Sequence, residues 1–287
     1  MSYINTETFE KRDVAKHFTA VSSTYNEKNY RLAGKRGKYP DIFRRHQYIL
    51  EMMGGARGRA LEIGCGSGEM LHEILKRNFK AVGMDIAPGM LKASRKLIKE
   101  KLPNKKVGLL QGDIDHLAFP DASFDLIVAA GVIEYLASDK KLLPELCRVL
   151  KPGGVLILSV RNKINLSRPI TTTRDILLAL PMIGAMLRGT TLALRRLLSL
   201  PPNGGIPGRR HVPSSLKNHM RRAGLKTVDA AFYHFTIFPR FLERRFPNFT
   251  AKWAEKFEVF SRTPVLGYLA NQYIVKAQKV ENGNHRS

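Results

Sequence analysis

One stretch of the chain combines an acid with three closely spaced glycines, Glu62-Ile63-Gly64-Cys65-Gly66-Ser67-Gly68. It follows a short apolar run at 60–63 and precedes a segment with helical spacing. Glycines at the end of a strand let the backbone turn tightly and approach a ligand, and the helix start beyond them presents free N–H groups. Asp85 stands 21 residues after Gly64 (64 to 85), at the end of the next strand-like run. An acid there can accept from two ribose hydroxyls. The pattern is that of a nucleotide-type site. Its spacing is Gly-x-Gly-x-Gly, because Glu69 occupies the place where a dinucleotide fingerprint carries its third glycine.

These residues need elements to hold them, and the rest of the chain supplies a regular set. Strand candidates lie at 60–63, 81–84, 107–110, 124–129 and 155–160, and the run at 124–129, apolar except at Asp125, predicts a strand buried on both faces. Met70, Leu71, Ile74 and Leu75 follow a helical period. Pro88 sits where a first-turn proline belongs, opening a helix to about 101, and 140–150 reads as a further helix. Strands alternating with helices predict a parallel sheet with right-handed crossovers. Residues 8–57 read as helical with weak periodicity. Beyond the fifth strand the alternation stops, and 214–223 reads as a helix with Ser214 or Ser215 as its cap. Runs at 225–233 and 270–279 are the last two strand candidates.

Four segments in order resemble the motifs of class I S-adenosylmethionine-dependent methyltransferases, with quinone- and lipid-methylating members as the nearest subgroup. Glu62 through Gly68 is similar to the first motif. Gly83-Met84-Asp85-Ile86-Ala87-Pro88-Gly89-Met90-Leu91 is similar to the second and Gly112-Asp113-Ile114 to the third. Leu150-Lys151-Pro152-Gly153-Gly154 resembles the turn before the fifth strand. The resemblance covers 59–160. It departs from the family at Glu62, where many members have Asp, and at Tyr135, where many have His. It implies an α/β fold with a doubly wound, seven-stranded, mostly parallel sheet whose last strand is antiparallel, and S-adenosyl-L-methionine as cofactor. By the same resemblance Gly64, Gly66 and Gly68 make room for the methionine part and ribose, and Glu62 supports the loop or contacts the amino group. Asp85 holds the ribose hydroxyls, Ile86 packs on the adenine, and Asp113 accepts from the adenine amino group with the Ile114 N–H nearby. Ala130 through Glu134 faces the sulfonium and acceptor. Phe18, Tyr25 and Tyr30 form an N-terminal lid.

Methyl transfer from a sulfonium is an in-line displacement that gains chiefly from alignment and exclusion of water. A hydroxyl acceptor would benefit from a general base. His211, in Arg209-Arg210-His211-Val212-Pro213, is the leading candidate, with Glu134 and Tyr25 as further acceptor-side groups. Cys65 and the other histidines read as packed or surface residues. Two cysteines, Cys65 and Cys147, allow neither a disulfide framework nor a four-thiolate zinc site, and no metal is expected.

The chain of 287 residues carries a formal charge of +24, and its distribution is uneven. Residues 59–160 hold 15 basic and 12 acidic side chains, whereas 161–262 hold 19 and 5. The excess therefore belongs to the part beyond the cofactor motifs. That part includes a leucine-rich segment with Arg188, Arg195 and Arg196, whose first apolar run is broken by Pro181 and Gly184. Such a run is too short to span a bilayer, for which about 20 apolar residues are needed. It fits an interfacial helix against anionic headgroups. The expected organisation is an N-terminal lid at 1–58, the cofactor core at 59–160, a basic amphipathic insert at 161–213, completion of the sheet and acceptor-side cap at 214–280, and a disordered tail at 281–287. The first residues hold no apolar run, so the expected location is the cytoplasm, peripheral on the inner face of the membrane. The expected acceptor is lipid-like, a prenylated quinone precursor or a lipid headgroup, or else another small molecule. RNA is the alternative acceptor. It is disfavoured because the basic region is rich in leucine where a nucleic-acid groove would interleave aromatics.

Overall fold

A computed structural model describes residues 11–31, 41–136, 138–165, 208–235, 245–263 and 265–281. Among them, eight strands build one sheet: β1 (Arg59–Ile63), β2 (Lys80–Asp85), β3 (Gly108–Gln111), β4 (Phe124–Ala130), β5 (Leu150–Asn162), β6 (Arg210–His211), β7 (Leu225–Tyr233) and β8 (Gln272–Lys279). Their order is β3-β2-β1-β4-β5-β8-β7, with β6 beside β5. β8 runs antiparallel to both of its neighbours, β5 and β7, while β1 to β6 pair in parallel. The seven expected strands are present. The eighth, β6, is two residues long and pairs Arg161 with Arg210 and Asn162 with His211.

The helices are α1 (Lys11–Asn26), α2 (Asp41–Met53), α3 (Glu69–Lys76), α4 (Pro88–Lys101), α5 (Leu142–Val149), α6 (Pro213–Arg222) and α7 (Pro247–Phe257), with a π-helical turn at Glu27–Arg31. β4 shows why they flank both faces of the sheet. Side chains alternate along a strand. Leu126 and Val128 join one core with Ile49, Met53, Leu71 and Ile98, while Ile127 and Ala129 join the other with Leu142, Leu146, Leu216 and Met220. A strand apolar on both faces, as β4 is from Leu126 to Ala129, is stable only between two such layers.

One local expectation is corrected. α6 opens at Pro213 with Val212 as its N-cap in extended backbone, φ −82° and ψ 120°, and no side chain caps it. A proline excludes the helical region for the residue before it, so the start is set by Pro213 and both Ser214 and Ser215 fall inside the helix. The expected insert lies outside the described residues from 166 to 207, as does the tail from 282 to 287. Among the described residues no helix is long and apolar enough to cross a membrane.

Candidate active site

Chain growth reverses between β1 and β4, leading outward to β2 and β3 on one side and to β5 on the other. Open α/β sheets bind ligands in the crevice at the carboxyl ends of strands at such a switch point. A cavity lies there, and its wall includes Glu62, Gly64, Gly66, Asp85, Ile86, Asp113, Ile114 and Ala130.

The glycine turn is tied to β2. The Gly64 and Cys65 N–H groups both donate to the Met84 carbonyl, at 2.7 and 3.0 Å. The Gly66 N–H donates to Asp85 Oδ2 at 2.8 Å, and the Ala87 N–H to Asp85 Oδ1 at 2.9 Å. Each carboxylate oxygen has two lone pairs, so both keep acceptor capacity toward a hydroxyl. Burial raises the Asp85 pKa, and the N–H groups of Ala87, Gly66 and Ile86 oppose that rise. Glu62 is 4% exposed, and its Oε2 has no hydrogen-bond partner. Burial, reinforced by Asp85, pushes its pKa well up, and Arg45 opposes the rise. A buried acceptor left unmatched on a cavity wall is the atom that a ligand donor would satisfy.

Gly68 is the one glycine of the turn outside the cavity wall. It starts α3 with φ 87°, and a Cβ there would meet Ser94 Oγ at 2.4 Å. Its bare side lets α4 pack against the turn, so making room for a ligand is not its role.

The N-terminal segment forms the opposite wall. Lys11 Nζ donates to Asp113 Oδ1 and Oδ2 at 2.7 and 2.6 Å and to Asp115 Oδ2 at 2.5 Å. At the other end of α1, Ser67 Oγ donates to Asn26 Oδ1 at 2.7 Å. Both ends of the helix are thus fastened to the cavity rim. Between them Phe18 meets the edges of Tyr25 and Tyr135, with ring centroids 6.4 and 5.5 Å apart. Tyr25 and Tyr30 also line the cavity. Burial raises the Tyr25 pKa, which keeps its hydroxyl protonated and able to donate near neutrality.

Sequence reasoning missed three cations here, Lys11, Arg161 and Arg45. Arg161 Nε holds Glu134 Oε1 at 3.1 Å, so the Glu134 carboxylate on the wall is already paired. Its pKa is raised by burial, with Arg161 and Arg45 opposing. Arg45, from α2, reaches the cavity beside Gly131. A Cβ on Gly131 would meet Arg45 Nη1 at 2.3 Å, so glycine leaves the space that the guanidinium fills. Among the described residues no carboxylate ion-pairs with Arg45, and its charge is felt by Glu62 and Glu134, whose pKa values it lowers against the effect of burial.

His211 does not line the cavity. It lies on β6, 7% exposed, with Arg209 Nη2 at 3.0 Å and Asp139 Oδ2 at 3.9 Å from its Nε2. Burial, with Arg209 beside it, lowers its pKa to about 4. A weakly basic imidazole away from the cavity is not placed to take a proton there. The expectation that made His211 the base is corrected: β6 turns the ring inward to Asp139.

Residues 61–158 match a family model described as a methyltransferase domain. A malonyl-[acyl-carrier protein] O-methyltransferase of Haemophilus ducreyi is 34% identical over 117 residues, 38% of this chain and 42% of that protein. A ubiquinone/menaquinone biosynthesis C-methyltransferase of Azotobacter vinelandii is 30% identical over 155 residues, 53% of this chain and 59% of that protein. The chain spans about half the length of the relatives it matches. The crystal structure of magnesium protoporphyrin IX methyltransferase from Synechocystis with bound SAH superposes with a TM-score of 0.56 at 12% identity, over 94% of this chain and 99% of that one. At that identity the likeness concerns the fold.

Proposed function

We propose that this chain, whose residues 61–158 match the methyltransferase-domain family model, is a class I S-adenosylmethionine-dependent methyltransferase that transfers a methyl group to a lipid-like or membrane-associated acceptor. The observation that carries the cofactor half is the unmatched Glu62 Oε2 in one cavity with Asp85 and Asp113, at the carboxyl ends of β1 and β2 and after β3. This donor and acceptor set fits the cofactor. Asp85 takes the ribose hydroxyls, Ile86 and Ile114 flank the adenine, and Asp113 accepts from its amino group. Glu62 accepts from the ammonium of the methionine end. Arg45, a cation on the same wall that no carboxylate pairs among the described residues, takes the carboxylate of that end.

When bound, S-adenosylmethionine would supply a methyl group on a sulfonium, whose neutral thioether product, S-adenosylhomocysteine, is a ready leaving group. The protein's task is alignment and dryness. Phe18, Tyr25, Tyr135 and the strapped helix α1 exclude water. Tyr25 presents a protonated hydroxyl to the acceptor side, and Glu134, held by Arg161, supplies a fixed negative charge there.

Three observations support the lipid-like acceptor. The cavity lining from the N-terminal helices includes an apolar set, Val14, Phe18, Ile42 and Ile49, beside its charged and polar groups. One relative acts in ubiquinone and menaquinone biosynthesis. The charge excess at 161–262 suits an anionic surface. The test is incubation with methyl-labelled S-adenosylmethionine and separate extracts of total lipid, total RNA and water-soluble metabolites. Label in the lipid fraction supports the proposal, and label confined to RNA or metabolites overturns it.

A further inference from the structure

α7 lies outside the cavity and has no part in the site described above, yet its surface is unusual. Thr250 and Ala254 face the core. Beside that seat, Phe246, Phe249 and Trp253 are exposed by 50%, 55% and 39%. Phe249 and Trp253, four residues apart, share one stripe of the helix with ring centroids 6.3 Å apart, and Phe246 stands just before it at the N-cap, in non-helical backbone. Next to the stripe stand Arg245, Lys252 and Lys256. Arg245 lies over the Phe246 ring at 5.2 Å and Lys256 over the Trp253 ring at 4.8 Å. Among the described residues none of these three cations has an acidic partner.

The acids of this helix region are committed elsewhere. Glu255 faces Arg44 of α2 at 3.8 Å, and Glu258 accepts from the Tyr48 hydroxyl at 2.8 Å. Among the described residues the outward surface therefore carries three exposed aromatics and three cations that no acid pairs. Single exposed apolar residues need no explanation, but three large aromatics standing beside three cations do. Aromatic rings at headgroup depth with lysine and arginine beside them are the makings of an interfacial helix.

We infer that α7 is a membrane-contact face, laying Phe246, Phe249 and Trp253 into the headgroup boundary of an anionic bilayer with Arg245, Lys252 and Lys256 on lipid phosphates. The inference rests on the reading of a membrane-associated acceptor and deepens it. The Arg44–Glu255 pair fastens α7 to α2, the helix that also carries Arg45, His46 and Ile49 on the cavity wall. Docking α7 on a bilayer would bring that wall close to the lipid phase.

Trp253 is the single tryptophan of the chain, so its emission reports on this face alone. The full-length protein is titrated with vesicles of phosphatidylcholine and with vesicles of phosphatidylcholine and phosphatidylglycerol in equal parts. The expected result is a blue shift and co-sedimentation with the anionic vesicles only, weakened by salt. The charge-reversed variant Lys252→Glu/Lys256→Glu and the variant Phe246→Ser/Phe249→Ser should each lose roughly tenfold or more in partitioning. Both should bind S-adenosylhomocysteine as the wild type does, which shows that they are folded. Anionic vesicle binding with an unmoved Trp253 signal and wild-type behaviour of both variants would overturn the assignment to α7 and leave the acceptor reading standing. Absence of binding to either vesicle would overturn it outright. So would a concentration-dependent dimer with Trp253 already blue-shifted, which would place a second copy on the stripe. Failure of the acceptor reading is seen separately, as absence of label in lipid.

Discussion

Lys11 Nζ grips both carboxylate oxygens of Asp113, at 2.7 and 2.6 Å, across 102 residues of chain. The same carboxylate is the proposed acceptor for the adenine amino group, so the strap that closes the cavity and the cofactor share one anchor. The cofactor can reach Asp113 only as Lys11 yields or shares it. Lys11→Met should therefore speed association of S-adenosylhomocysteine severalfold in stopped-flow measurements. Burial favours the neutral Asp113 carboxyl, but the Asp115 N–H and Lys11 outweigh it and hold its pKa below the usual 3.8. An acid with a depressed folded pKa keeps its stabilising contact above the unfolded pKa and loses it as pH falls through the folded one. The association rate should then be insensitive to this group from pH 5 to 8. An unchanged rate in Lys11→Met would contradict the strap.

Arg45 offers a second prediction. A charge-assisted contact to the methionine carboxylate is worth about 1.5–3 kcal/mol, or roughly ten- to a hundredfold in affinity. Arg45→Met should weaken S-adenosylhomocysteine by that factor in calorimetry. It should leave 5′-methylthioadenosine, which lacks the amino-acid end, unaffected, and Arg45→Lys should recover part of the loss. Equal weakening of both ligands would point to a structural role.

His211 sets an acid limit on stability. Its neutral ring accepts from Arg209, and burial lowers its pKa from 6.5 to about 4. Below pH 6.5 the unfolded chain takes up a proton that the folded chain refuses, so stability is full above 6.5 and falls as pH drops toward 4. The whole effect is on the order of 3 kcal/mol. Urea unfolding at pH 7 and pH 5 should show the loss, and His211→Gln should flatten it. An equal pH dependence in the variant would assign the loss to other groups, His46 first among them, whose pKa burial also lowers to about 4.

The comparison of sequence with structure divides along physical lines. β4 and β5 were legible because burial on both faces demands apolar runs, as at Leu126 to Ala129 and Leu156 to Leu158. The glycine turn and Asp85 were legible because their backbone requirements restrict residue type locally. Arg45 was not, since nothing in the sequence separates it from Arg44, its neighbour, which faces Glu255 instead. Lys11 and Arg161 were hidden for the same reason: a long cation carries no periodic signature, and its partner is set by tertiary approach. His211 misled because a histidine near the end of the chain's basic region reads equally as a base or as a buried ring. Only the pairing of β6 with β5 decides between them.

The central claim is that the cavity at the ends of β1, β2 and β4 is the cofactor's. Calorimetric titration of S-adenosylhomocysteine into the wild type and Asp85→Ala tests it most directly, with thermal unfolding as the control for folding. The wild type should bind saturably and the variant at least roughly tenfold more weakly, from the loss of a charged hydrogen-bond acceptor. Equal affinity in the two proteins would contradict the claim.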